Sequence, residues 1–574
     1  MCKRISLIII LLSFFSLILT ASEELDRRTT LLNQANHFTI RRNYEKANSI
    51  YKKLLQENPD DYIVAEKLIQ NYFKTSQIEA AEELIEKYSK KFPELTLLRL
   101  NTVLLINLGK TEEAYSEIEN YFNTTPKNLN RYREFSLLFQ TNKQYKYAIK
   151  LLLEAREIAQ DEFLNARLLA NNYQYLGEYE KAITEYIRYL RKNKSYRFYV
   201  YNRIKDMLKQ DPVLVEVLQT EYERWDNQQV SELYAKSLTY VGKYEMALQI
   251  YSKLDAKLLR DFAESQYKLG NYTIAKKALQ QYIQREVSAI AIAEAQLTLA
   301  DIYITNNEFE AAQEILWQVY QNKELQNRRN FYRSHANMNC RVKLAELAMK
   351  QGKDAEIIVQ YYQEARKFAM NSSEKQLLDL KIIDYLTMQG DFEAASQKLQ
   401  KIKGNTEIGT QVDKLADYYT FLLAFIQQKE SADSLLTEVM INIPQNKQIN
   451  NILLLKEIVK DMSVESKSKV LTAFRKKNIY QYSSAMTILD SLSTNIQEQG
   501  QVKILQGMWA LENNDPQAQK YFEFDFQKPI LKEIAAYFEA MLEKDGQIKS
   551  LMASEFLKNN PNAVFAPQFR EFVQ

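Results

Sequence analysis

Turn-forming and redox-active residues are scarce in this chain of 574 residues, which has 11 Gly, 9 Pro, 2 Cys and 2 His. Average usage is about 7% for Gly and 5% for Pro. Both are poorly tolerated inside helices, so the shortage points to many helices and few sharp turns. Cys2 stands before an apolar run and Cys340 is alone beyond it, which excludes an internal disulfide framework in a processed chain and leaves stability to packing. Cys340 reads as a small buried residue on a helix beginning near Asn337. Neither His37 nor His335 has a His or Cys partner at ligand spacing, so no metal site is expected and both read as surface or packing residues. Gly-rich phosphate loops, nucleophile elbows and paired-Cys motifs are missing too, so neither a cofactor nor a catalytic residue is expected. An excess of one charge is also lacking. The 76 Lys+Arg face 73 Asp+Glu, without the basic surplus that phosphate-backbone binding uses, which argues against nucleic acid as a partner.

What is present begins with a leader-like segment at residues 1–22. Lys3 and Arg4 precede an apolar run over 5–19, and Thr20-Ala21-Ser22 supplies small residues for cleavage. The run is shorter than the ~20 residues a spanning helix needs. Cleavage is therefore expected, giving an exported protein, periplasmic or secreted, that meets a membrane only through partners or an uncleaved leader. Cys2 lies before the run rather than just after it, so lipid attachment is not supported.

The chain is too long for one core, which stops growing near ~250–300 residues. Self-similarity supplies the solution. A turn residue, an aromatic, a polar pair and an Ala recur, most clearly in Gly177-Glu178-Tyr179-Glu180-Lys181-Ala182. The register alanines Ala47, Ala81, Ala114, Ala148 and Ala182 are 34, 33, 34 and 34 residues apart. Looser copies end at Ala247, Ala275, Ala312, Ala395, Ala432 and Ala518, with a partial one around Ala485. Each unit holds two helical patterns. Ala65, Leu68, Ile69 and Tyr72 share one helix face, and Ile78, Ala81, Leu84, Ile85 and Tyr88 share the next. Pro59, Pro93, Pro126 and, later, Pro444 separate units. An Ala at the crossing lets two helices approach, and Tyr51, Tyr186 and Tyr251, four residues after their alanines, fill the groove alongside. The expected divisions are 23–194 (five regular repeats), 195–228 (a divergent repeat whose Asp211-Pro212 starts a helix), 229–445 (a looser array) and 446–574 (divergent helical repeats with a C-terminal cap).

These positions resemble the tetratricopeptide repeat family. Leu31, Ala35, Phe38, Tyr44, Ala47, Tyr51 and Pro59 carry the likeness in the first repeat, and Leu169, Ala170, Tyr173, Gly177, Tyr179, Ala182 and Tyr186 in the fifth. The resemblance implies an all-α, right-handed superhelical solenoid of antiparallel helix pairs, with about 13–15 repeats and divergent C-terminal ones. It also implies a concave groove lined by the fifth and ninth places of each first helix. The fifth places are Leu32, Glu66, Arg99, Arg133 and Arg167; the ninth are Asn36, Gln70, Val103, Leu137 and Asn171. Three arginines thus recur down one wall about 10 Å apart. In water their mutual repulsion is only about 0.4 kcal/mol per pair, so the ladder is tolerable with or without a ligand. Arg99, Arg133, Arg167, Asn171 and Gln70 are the candidate peptide-binding residues, the arginines gripping acidic segments by forked hydrogen bonds. Arg167 and Asn171 resemble one step of the family's carboxylate clamp, the rest of which is not evident. Tyr196, Phe198, Tyr199 and Tyr201 cluster where the register degrades, as an exposed patch or as a divergent packing face.

The expected function is a non-catalytic scaffold or adaptor outside the cytoplasm that binds protein or peptide partners in its groove. One alternative is an accessory subunit of a cell-envelope assembly machine, or a regulator of a membrane or cell-wall enzyme. Another is a cell-wall hydrolase, which would need positioned carboxylates beyond residue 445.

Overall fold

The computed structural model describes residues 27–326, 334–442, 447–493 and 495–573. The leader and Pro444 lie outside them. Among the described residues the chain is all-α, without strands, and its helices pack as successive antiparallel pairs in a tetratricopeptide-like solenoid. No described helix is long and apolar enough to cross a membrane.

The described residues divide into two compact units, one up to Asp255 and one from Ala256 onward. In the first unit, helix 27–40 is followed by Tyr44–Glu57, and the next pairs are Tyr62–Lys74 with Ile78–Tyr88, Glu94–Asn107 with Thr111–Thr124, Leu129–Thr141 with Tyr145–Ala159, and Ala166–Tyr175 with Tyr179–Lys192. Arg197–Gln210 and Val215–Arg224 come next, joined where Asp211 accepts from the Val213 N–H at 3.0 Å and Pro212 opens a short 3₁₀ turn. Gln228–Tyr240 with Tyr244–Tyr251 completes the unit.

The register alanines explain the spacing. Ala47, Ala81, Ala114, Ala148, Ala182, Ala247, Ala275, Ala312, Ala395 and Ala485 are all fully buried, and Ala518 nearly so. A one-carbon side chain at each crossing lets the second helix close onto the first. The turn between them is equally uniform. Thirteen residues with positive φ, among them Arg42, Ser76, Gly109, Lys143, Gly177, Tyr480 and Asn514, end first helices in the left-handed conformation among the described residues. The N–H one residue on reaches back to the carbonyl five before it, as in Gln77 to Tyr72 (2.9 Å), Glu178 to Tyr173 (3.0 Å) and Asp515 to Ala510 (2.8 Å). This is the Schellman closure, which satisfies carbonyls that the helix end would leave unpaired.

The tyrosines behind the alanines are core residues: Tyr51, Tyr186 and Tyr251 are at most 5% exposed. Where a phenol is buried its hydroxyl needs a partner, and Tyr88 donates to the Pro59 carbonyl at 2.7 Å. Ion pairs brace the back of the array. Arg156 makes a two-pronged pair with Glu185 (2.8 and 2.7 Å), and its guanidinium also donates to the Leu164 carbonyl. Arg188 shares Oε1 of Glu185 at 2.5 Å.

The second unit opens with Ala256–Lys268 and Tyr272–Arg285, then Ala289–Thr305 with Phe309–Gln321, Ala336–Lys350 with Ala355–Lys367, Ser372–Gln389 with Phe392–Lys403, and Gln411–Ile426 with Ala432–Asn442. Lys447–Val459 forms no such pair among the described residues. Val464–Asn478 with Tyr482–Leu492 and Gln499–Glu512 with Ala518–Phe522 follow. The Phe522 ring lies on Gly507 so closely that a β-carbon there would meet it at 2.7 Å. Pro529–Leu542 leads to a terminal pair, Gly546–Asn559 with Ala566–Val573, sealed by Tyr537, Phe556, Phe565, Phe569 and Phe572.

Glu185 lies between two guanidiniums at 5% exposure. Breaking a buried pair from one side leaves charge uncompensated at a cost of about 3–5 kcal/mol. Glu185→Gln should therefore lower the stability of the first unit by about that much in urea unfolding. A loss no larger than that of an exposed control such as Glu180→Gln would show the network to be decorative.

Candidate functional site

The first helices of the first unit carry the fifth- and ninth-place side chains, and the structure distributes them unevenly. A cavity of about 520 Å³ is floored by Phe73, Leu100, Val103 and Leu138 and rimmed by Glu66, Gln70, Lys74, Arg99 and Glu134. Gln70 and Arg99 are brought together here, but both are engaged. Gln70 donates to Glu66 at 3.0 Å. Arg99 donates to Glu134 of the next repeat at 2.7 Å and to Thr96 at 3.1 Å. The charges of this stretch cancel locally, leaving an apolar floor with a neutral rim.

Further along, the balance changes. Arg133 and Arg167 are exposed and form no ion pair among the described residues. The Arg167 guanidinium lies 5.9 Å from the centre of the Tyr189 ring, a cation–π approach that holds it without neutralising it. One turn on, Asn171 Oδ1 accepts from Tyr199 Oη at 3.0 Å and lies 2.8 Å from Tyr186 Oη, whose single proton is shared with Gln174 Oε1 at 2.8 Å. The oxygen of this amide is thus engaged by tyrosine hydroxyls, and its NH₂ remains as a donor. The first repeat shows where the arrangement comes from: ninth-place Asn36 accepts from Tyr51 Oη at 2.9 Å. In both repeats the buried tyrosine of the second helix finds its partner on the first.

Sequence reasoning missed Arg203. It stands 36 residues after Arg167, in the repeat where the register slips, with its guanidinium 5.4 Å from the Tyr199 ring. The aromatic cluster around it divides. Phe198 is 63% and Tyr196 45% exposed, whereas Tyr199 and Tyr201 are half-buried. The available signal was Tyr199 and Arg203 one helical turn apart, which a search in strict 34-residue steps passes over.

Chemistry of other kinds finds little support. No group of three or more His, Cys, Asp or Glu that could hold a metal ion occurs among the described residues. His37 is exposed, and His335 lies against Glu374 at 3.1 Å. Beyond residue 445 the carboxylates of Asp461, Glu465 and Glu512 pair with Lys528, Lys469 and Lys477. Glu498 accepts from the Ser463 N–H, Ser466 and Asn495. These are structural engagements. Cys340 is fully buried in helix Ala336–Lys350 and donates to the Leu316 carbonyl at 3.2 Å; burial pushes its thiol up to about 12.

Residues 40–101 and residues 260–319 match the tetratricopeptide repeat family. No curated protein sequence matches the chain. Similar solved structures include Naa15/Naa10 bound to HypK-THB, at 12% identity over 95% of this chain and 97% of that one, with a TM-score of 0.26. The APC/C hetero-tetramer Cut9-Hcn1 gives 13% identity over 96% and 97%, with a TM-score of 0.26. The P58(IPK) TPR domain gives 16% over 65% and 98%, with a TM-score of 0.20. Likenesses this distant do not bear on function.

Because the nucleophile is the thiolate, a thiol held at about 12 in a closed core is inert near neutrality. Iodoacetamide should leave Cys340 unmodified in the folded chain at pH 8 and alkylate it fully in denaturant, as read by intact mass. Rapid modification of the folded protein would contradict this placement.

Proposed function

We propose that this protein is a non-catalytic scaffold that works outside the cytoplasm and holds acidic segments of partner proteins in the groove of its first unit. The observation that carries the reading is the exposed, unpaired guanidinium of Arg167 one helical turn from Asn171, whose Oδ1 is engaged by tyrosine hydroxyls. The Asn171 NH₂ stands beside that guanidinium as a second donor. With Arg133 and Arg203 along the same row of first helices, the wall offers donors and positive charge, which suit carboxylates. The apolar floor around Val103 and Leu138 supplies a neighbouring place for hydrophobic side chains of the same segment. Arg99 contributes to the wall's shape rather than to its charge, since Glu134 already neutralises it. Export rests on the basic start, apolar run and small residues at 1–22.

Charge-assisted hydrogen bonds contribute roughly 1.5–3 kcal/mol each, and about 1.4 kcal/mol is a factor of ten in affinity. Arg133→Ala combined with Arg167→Ala should therefore weaken binding of a glutamate-rich, leucine-containing peptide at least about tenfold, with circular dichroism and melting unchanged. A lysine-rich control peptide should not bind the parent. Unchanged affinity for the acidic peptide in the double variant would refute the reading.

A further inference from the structure

The second unit treats its inner face differently. Helix Val464–Asn478 lies against Ser372–Gln389, across the face that an open groove would present to solvent. The approach is close at Gly390, whose left-handed turn (φ 96°) lies under the Arg475 guanidinium with no room for a side chain. Five helices, Ser372–Gln389, Gln411–Ile426, Lys447–Val459, Val464–Asn478 and Gln499–Glu512, line a partly open chamber of about 130 Å³. An outer cavity of about 380 Å³ shares Lys477, Asn478, Trp509 and Glu512 with it and reaches solvent beside Asn307 and Tyr480.

Asp384 lines the chamber and has no hydrogen-bond or ion-pair partner among the described residues. The cations near it are engaged elsewhere. Lys381, one turn earlier, pairs with Glu346 at 3.2 Å, and Lys477 pairs with Glu512. Lys350 sits 4.4 Å over the Tyr480 ring, and Arg475 lies 5.3 Å over Phe392. Burial pushes the Asp384 carboxyl up to about 6, opposed by Lys381. The phenols of Tyr362, Tyr418, Tyr419 and Tyr480 are raised first by burial and further by carboxylates, Asp384 for Tyr418 and Tyr419 and Glu346 ahead of Asp384 for Tyr362 and Tyr480. Asp384 is half-buried, and a partly desolvated carboxylate without a partner is costly, so a neutral residue would fill the place at less expense to the fold. Tyr418, Phe474 and Trp509, each under 10% exposed, supply aromatic walls. An unpaired carboxylate among aromatic faces is complementary to a cation carried on an apolar stem.

We propose that this chamber is a binding site for an alkylammonium group, with the ammonium on the Asp384 carboxylate and the carbon stem against Tyr418, Phe474 and Trp509. Either a free amine or a lysine side chain of a partner could supply it. The site is separate from the acidic-peptide groove of the first unit and does not depend on it.

The test is isothermal titration calorimetry of the full chain with n-butylamine and with N-acetyl-lysine methylamide, using the norleucine analogue as a control. Saturable binding of at least one amine is expected at pH 7.5. It should weaken about tenfold at pH 5, where a carboxyl titrating near 6 is about nine-tenths protonated while the amine stays charged. Asp384→Asn should weaken it at least tenfold at pH 7.5. That variant should also fold with an equal or higher melting temperature. A folded-state value above the unfolded one means that this group stabilises below about pH 4 and loses its contribution as pH rises through about 6. Binding of butylamine alone assigns a free amine, and binding of both probes assigns a lysine side chain. Absence of saturable binding by either probe, or unchanged affinity in Asp384→Asn, would overturn the proposal.

Discussion

Two helices can close onto one another only as far as the side chains between them allow, and here that limit is set by a single methyl group. The buried alanines from Ala47 to Ala518 fix the distance between first and second helix, while a left-handed residue ending the first helix fixes the reversal. Once both are set, the large residue four places after the alanine can only point inward. The Tyr51 and Tyr186 hydroxyls then need partners on the first helix, and Asn36 and Asn171 supply them. Packing therefore reaches the groove through a hydrogen bond. The same amide that satisfies a buried phenol is left presenting its N–H groups.

Much of this was legible because it is local. A period of 34 residues, an alanine register and apolar faces at helical spacing all lie within one repeat, where sequence distance and spatial distance agree. The turn was partly hidden, since Arg42, Lys143 and Tyr480 adopt the conformation that Gly109 and Gly177 advertise. The hydrogen bond from the following residue is enough to hold non-glycine residues there. That is why Tyr480 and Asn514 continue the scheme into the C-terminal part, where the motif itself fades.

The charges of the candidate wall were less legible. Arg99, Arg133 and Arg167 look equivalent along the chain, yet among the described residues only the first meets a carboxylate, because Glu134 on the first helix of the next repeat turns back toward it. Whether an arginine is free depends on its neighbour 35 residues away, and periodicity in one position says nothing about the position beside it. The environment of Asn171 likewise requires Tyr199, from a repeat whose spacing has slipped.

The closed inner face of the second unit had a signal that periodicity obscures. Helix Gln411–Ile426 buries Tyr418, Tyr419, Phe421, Leu422, Leu423 and Ala424 in near succession, so it is apolar all round rather than along one stripe. Such a helix must be covered on every side. Helix Gln499–Glu512, with an unbroken buried run from Ile504 to Ala510, makes the same demand. In the first unit, first helices such as Leu129–Thr141 keep exposed places for Arg133 and Leu137, and the groove stays open. One repeat geometry thus gives either a trough or a chamber, according to whether the inward row of the first helices is polar or oily. Asp384 lies on the inner side of such a closure, which is why its carboxylate, ordinary on a solvated wall, becomes the least compensated charge of the chamber.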